Sequence, residues 1–266
     1  MIELLVLPVI GLAFVALFTR EVIAPASRNR CDQRWLILAS GVGAVTLAVT
    51  LAVGYLFGSA IRSVALFDAG SVMPEAAVGF LGFLLASFLF YWWHRLTHWS
   101  DLLWRAFHQL HHSARRVEAL TAFYAHPLDT AAAICISAGA SYLVLGASPV
   151  AAAIALLLTG LFDLFLHSDL RTPTWLGFIV QRPEMHTVHH RRGHHRQNYG
   201  LPLWDMLFGT WCNPAERAQV LGFDGDKPDR VADMLLFQDV HRARPATRAG
   251  TTTATTASHE QPDGKA

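Results

Sequence analysis

Apolar residues dominate five stretches of the chain, at 2–18, 35–57, 76–93, 129–145 and 151–166. A helix that crosses a bilayer needs about 20 mostly apolar residues, within a range near 17–25. The second stretch reaches that length alone. The last two are short, and Gly146-Ala147-Ser148-Pro149 separates them, so they read as a helical hairpin that crosses and returns. The alternative is a soluble all-α protein with buried helices, but five such runs in a chain of 266 residues exceed what a soluble core uses. The pattern therefore predicts an all-α fold, an integral membrane helical bundle. After Pro214 the chain turns polar, with one short amphipathic helix expected around 231–240. Beyond Arg242 it is rich in Ala, Thr, Arg and Gly without apolar periodicity, the signature of a disordered tail. The division that follows is 1–75 (two membrane helices and their loops), 76–215 (the catalytic unit), 216–241 (a short extension) and 242–266 (the tail).

Composition agrees with lipid immersion: 53% of residues are hydrophobic and only 15% charged. A net charge of +1 gives no reason to expect a nucleic-acid partner. The N-terminus, Met1-Ile2-Glu3, lacks the basic start of a signal peptide, and no small-residue cleavage site follows. Arginine is distributed unevenly. Arg20, Arg28, Arg30 and Arg34 crowd the loop after the first run, whereas the next loop carries only Arg62 and Asp68. The positive-inside rule then sets the N-terminus outside and the ends of runs one, three and five in the cytoplasm. Arg182, Arg191, Arg192 and Arg196 fit that arrangement. Cys31, Cys135 and Cys212 are too few for a four-cysteine cluster and too scattered for a disulfide framework. Gly41-Val42-Gly43 lies inside a spanning run with no strand before it, so it reads as helix packing rather than nucleotide binding.

The chemistry lies in three histidine boxes: His94 and His98; His108, His111 and His112; His186, His189 and His190. Spacings of three and four bring histidines to one side of a helix. Three such faces can surround a small polar chamber. Neutral imidazole is the commonest transition-metal ligand. Eight nitrogens exceed what one tetrahedral zinc takes and suit two metals of higher coordination number. C–H bonds in lipid chains resist acids, bases and nucleophiles, and a redox metal with O₂ is the reagent that attacks them. The expected site is thus a histidine-rich metal site on the cytoplasmic side, holding two iron ions, with O₂ as co-substrate. The bilayer would deliver a lipid substrate, and an external electron-transfer protein would supply electrons.

The strings YWWHRLTH at 91–98, HQLHHS at 108–113, FYAHP at 123–127, LHSDLR at 166–171, HTVHH at 186–190 and NYG at 198–200 resemble the fatty acid hydroxylase / sterol desaturase superfamily, as do WD at 204–205 and FGT at 208–210. The resemblance covers roughly 76–212. It implies an integral membrane di-iron enzyme that uses O₂ to hydroxylate or desaturate lipids. Two positions depart from the family pattern. Asp169 stands where Asn is frequent. Asp163 stands where some acyl hydroxylases carry a further histidine, one turn before His167.

Other residues divide between functional and ordinary readings. His167, at the end of the fifth run, is expected as a ninth ligand. His126, before Pro127, is open between ligand, support and helix start. Asp163 is costly in an apolar helix and lies four residues before His167, so it is expected to bind metal or to accept a hydrogen bond from a ligand. Asn198, Tyr199, Asp205 and Thr210 are expected to brace box three or to serve turns and caps. His194 and His195 read as loop residues, His241 and His259 as solvated. Trp92, Trp93, Trp99 and Trp104 are expected to form an interfacial aromatic belt. Within enzymes, a desaturase or sterol methyl oxidase is the rival reading. A metal transporter would place ligands near the bilayer midplane, not at helix ends. A zinc hydrolase would need a carboxylate base, and box one has no Glu inside it.

Overall fold

The computed structural model describes residues 2–27 and 32–242, so Arg28, Arg30, Cys31, His259 and most of the expected tail lie outside the described residues. Helices are the regular elements among the described residues, with one isolated bridge between Arg191 and Leu221. Ten α-helices follow one another: α1 (Ile2–Ile23), α2 (Gln33–Arg62), α3 (Glu75–Trp99), α4 (Asp101–Leu103), α5 (Gln109–His112), α6 (Pro127–Ala138), α7 (Pro149–His167), α8 (Pro183–His189), α9 (Pro202–Leu207) and α10 (Val231–Leu235). Among the described residues, five elements are long and apolar enough to cross a membrane: α1, α2, α3, α6 with the π turn that prolongs it to Val144, and α7. These are the five runs read from the sequence. Leu12, Ile37 and Leu51 are exposed along them, as lipid-facing side chains are.

Local chemistry sets the ends. Asp32 caps α2 by accepting from the Trp35 amide, and Ser148 caps α7 by accepting from the Ala151 amide, with Pro149 in the first turn. The α6–α7 hairpin turns at Gly146, whose φ of +59° is left-handed. Its tip is tied to the α2–α3 loop, where the Leu66, Phe67 and Ala69 amides donate to the Leu143, Val144 and Leu145 carbonyls. Small residues let the helices approach. Gly79 of α3 sits against Ile154 and Ala151 of α7, and Gly160 of α7 against Ile10 of α1.

Apolar packing closes both ends of the bundle. Val78, Leu145, Ala147 and Ala151 fill the hairpin-tip end. Leu110, Tyr124, Phe223, Met234 and Val240 pack at the opposite end, where the histidines gather. The extension makes a 3-10 turn at Lys227–Asp229 before the short helix expected around 231–240, which ends at Leu235. It then folds back, so that Gln109 donates to the Gln238 carbonyl and accepts from the Val240 amide.

A buried polar clamp joins the first two helices to the rest. Glu21 of α1 accepts from the Ala119 and Asp169 amides. Asp169 accepts from the Ser27 amide and hydroxyl and has the Arg116 and Arg217 guanidinium groups 3.5 Å away. Trp35 of α2 donates to Glu118. Residues 1–75, read from the sequence as two membrane helices and their loops, thus supply the Glu21 carboxylate, the Trp35 indole and the Ser27 amide and hydroxyl to this network. Asp169 serves the clamp.

Candidate metal centre

Box one sits one turn from the end of α3. Ser100 stops that helix and caps the next by accepting from the Leu103 amide. The chain then makes a π turn at Trp104–His108 before α5, so box two is not a plain α-helix. Box three fills α8, which opens at Pro183. Its entrance is held by Arg182, whose buried guanidinium donates to the Thr172 carbonyl and hydroxyl, to Asn213 and to the Pro214 carbonyl. Arg182 therefore does not belong with the exposed loop arginines. His167 is the last residue of α7.

These elements gather nine histidines into two groups. His94, His98, His108, His112 and His189 form one; His111, His167, His186 and His190 form the other. In each group, one nitrogen from every ring lies within 4.8 Å of the rest. The boxes interleave. Residues four apart (94 and 98, 108 and 112, 186 and 190) share a group, whereas His111 and His189 turn to the other. Consecutive helical residues differ by about 100°, so His111 cannot face where His112 faces.

The ring nitrogens carry a further signal. His94 Nδ1 lies 2.7 Å from the Tyr199 carbonyl and His108 Nδ1 2.8 Å from the Asp129 carboxylate. His111 Nδ1 lies 3.1 Å from the Tyr124 carbonyl and His167 Nδ1 2.9 Å from the Asp163 carbonyl. These oxygens only accept, so each Nδ1 carries a proton, and in a neutral ring that leaves Nε2 a bare lone pair. Yet His94 and His108 Nε2 face one another at 2.8 Å, and His111 and His167 Nε2 at 3.2 Å. Two lone pairs cannot bond at that distance without a cation between them, and there is one such pair in each group. His98 Nε2 is also buried without a protein partner. Burial holds His111, His112, His186, His189 and His190 well below the usual imidazole range, with neighbouring histidines adding to the effect. Neutral rings with inward lone pairs are a metal-ligand set, and the residues fit the two metals expected from the sequence.

The supporting residues separate on inspection. Asp205 accepts from the Tyr199 and Gly200 amides and the Thr210 hydroxyl, bracing the turn whose carbonyl holds His94; burial raises its carboxyl to about 6. Asn198, at φ +58°, bonds the Met185 and Cys212 backbones across box three. His126 is outside both groups. Its Nδ1 accepts from the Leu128 amide, capping α6, and its ring packs on Phe237. His195 packs edge-on against His112 and donates to or accepts from no metal-facing nitrogen; its Nδ1 meets the His189 carbonyl. Trp92 and Trp99 are exposed, as a belt requires. Trp93 and Trp104 are not part of one: Trp93 donates to Asp129, and Trp104 packs on the His98 and His112 rings. Sequence reasoning missed Asp129. The signal was available, since a carboxylate inside an apolar run calls for a partner.

A cavity of about 610 Å³ opens beside both groups and is lined by His94, His108, His111, His167 and His186. It continues along the length of α6 and α7 to Tyr142, Pro149 and Ala152.

The sequence profile of the fatty acid hydroxylase family matches residues 79–210. An ornithine lipid hydroxylase of Rhizobium tropici is 34% identical over 184 residues, covering 66% of this chain and 53% of the relative. A sphingolipid C4-hydroxylase of Schizosaccharomyces pombe is 29% identical over 148 residues, covering 54% and 50%. The human alkylglycerol monooxygenase is 31% identical over 134 residues, covering 48% and 29%. The chain thus spans about half the length of the first two curated relatives and less of the third. No solved structure matches it.

Proposed function

We propose that this chain, which belongs to the fatty acid hydroxylase family through residues 79–210, is a membrane-bound di-iron oxygenase that hydroxylates an unactivated C–H bond of a lipid. The observation that carries the reading is the pair of proton-free Nε2 contacts, one in each histidine group. His94, His98, His108, His112 and His189 would hold one iron, and His111, His167, His186 and His190 the other. Bound iron supplies the redox chemistry with O₂ that C–H oxidation needs and zinc lacks.

The protein's own contribution is positioning. Backbone carbonyls and Asp129 fix the ring tautomers, so that no imidazole reorganises during the reaction. The apolar cavity holds a lipid chain against the ligand rings and keeps bulk water away. One oxygen atom of O₂ goes into the C–H bond and the other leaves as water. An external electron-transfer protein supplies the two electrons, and solvent the two protons. Arg20 and Arg34 at the histidine end favour a cytoplasmic site, where such a donor would dock.

Purified anaerobically in detergent, the protein should hold about two irons per chain, one for each histidine group. His111→Ala and His189→Ala, one from each group, should lose iron and turnover while still inserting into membranes. With reductant and isotopically labelled O₂, host lipids should gain one labelled oxygen atom. One iron per chain, with box three dispensable for binding, would overturn the dinuclear reading.

A further inference from the structure

Two carboxylates line the cavity among its described residues, and no Lys or Arg does. Asp129 is engaged, meeting His108 Nδ1 and accepting from Trp93. Asp163 is different. Its side chain is 46% exposed although it belongs to a membrane-spanning helix. The His167 Nδ1 proton already has the Asp163 backbone carbonyl at 2.9 Å, closer than the carboxylate at 3.2 Å. The imidazole is therefore oriented without the carboxyl group. A carboxylate at this depth costs free energy unless it meets a donor. It lies one turn from His167 and borders the cavity next to the metal ligands.

We propose that the Asp163 carboxylate receives a cationic, ammonium-bearing head group of the lipid substrate, with the tail running along α6 and α7 toward the hairpin tip. This rests on the lipid-oxygenase reading and names its substrate class. The channel's length suits the tail: α7 alone, with 19 residues, is about 28 Å long at 1.5 Å per residue. The tight packing of Val78, Leu145, Ala147 and Ala151 closes the far end. Polar groups belong at the interface where α3 and α7 end, and apolar tail belongs between the spans. The oxidised carbon then lies within a few bonds of the head.

Binding decides the matter without turnover. Hexadecylamine, hexadecanol and palmitate share a tail and differ in head. Each is titrated into the iron-loaded protein, kept anaerobic in neutral micelles, against a spin-labelled stearate reporter. Wild type should prefer the amine over the alcohol by about tenfold or more, and bind palmitate worst. Asp163→Asn should lose that preference while keeping its iron, and Asp163→Glu should keep most of it. Equal binding of amine and alcohol by wild type overturns the proposal, and that comparison needs no variant. So does an Asp163→Asn protein that keeps the preference, or one that loses iron, which would make Asp163 a support for His167 instead. Head-group selection without any lipid oxidation would refute the oxygenase reading alone. Oxidation by a protein indifferent to head group would refute this inference alone.

Discussion

At the scale of single residues, the candidate ligands were legible because spacing in the chain maps onto spacing around a helix. The nitrogens' partners were not. Tyr124, Tyr199, Gln197 and Asp163 hold four of the clustered histidines, His111, His94, His189 and His167, through main-chain carbonyls, and a carbonyl is the same whatever letter carries it. Asp129 is the exception that a letter could reveal, and its role is testable. A carboxylate on the outer nitrogen of a ligand imidazole raises its basicity and fixes its tautomer, and losing it typically weakens metal binding about 10–100-fold. Asp129→Ala should therefore lose iron to a chelator at lower concentration than wild type. Asp129→Asn, which still offers an oxygen to His108 Nδ1, should fall between them. Chelator competition reads this directly, and unchanged retention in both variants would reduce Asp129 to a packing residue.

At the scale of elements, all five spanning helices were visible as apolar runs; their starts agree closely because capping letters such as Asp32 and Ser148 sit just outside the runs, whereas α1, α2 and α3 continue past the runs to Ile23, Arg62 and Trp99. What the runs could not disclose is how box two bends. The π turn at Trp104–His108 leaves no periodic trace in five residues, yet it precedes the point where His108 and His111 part toward different groups. The α6–α7 hairpin offers an element-level test. A Cβ at Gly146 would collide with the Phe67 carbonyl, and the backbone there is left-handed. Gly146→Ala should cost about 2 kcal/mol or more and unpin the hairpin from the α2–α3 loop. A lower thermal midpoint in detergent is the expected result. Gly193, equally left-handed but with open space around it, is the control: Gly193→Ala should cost only the backbone strain, without the collision.

At the scale of the whole molecule, the five spans put the ends of α1, α3 and α7 and the starts of α2 and α6 on one side, and all nine clustered histidines lie at that side. Reporter fusions at Ser71 and after Arg242 should read opposite sides of the membrane, with the second cytoplasmic. A shared side would mean that one helix does not cross. The clamp around Glu21 has a consequence for how the protein is made. Glu21 leaves the ribosome 148 residues before Asp169, the partner whose amide it receives. Until Ala119 emerges, 98 residues after it, that carboxylate has neither of its amide partners, and hydrocarbon takes it only at a cost. The first helix must therefore wait with its inner end at the water boundary, provisionally seated. Ala119 brings the first amide, and Asp169, just past α7, brings the second. The clamp on the first helix is thus completed by residues made long after it.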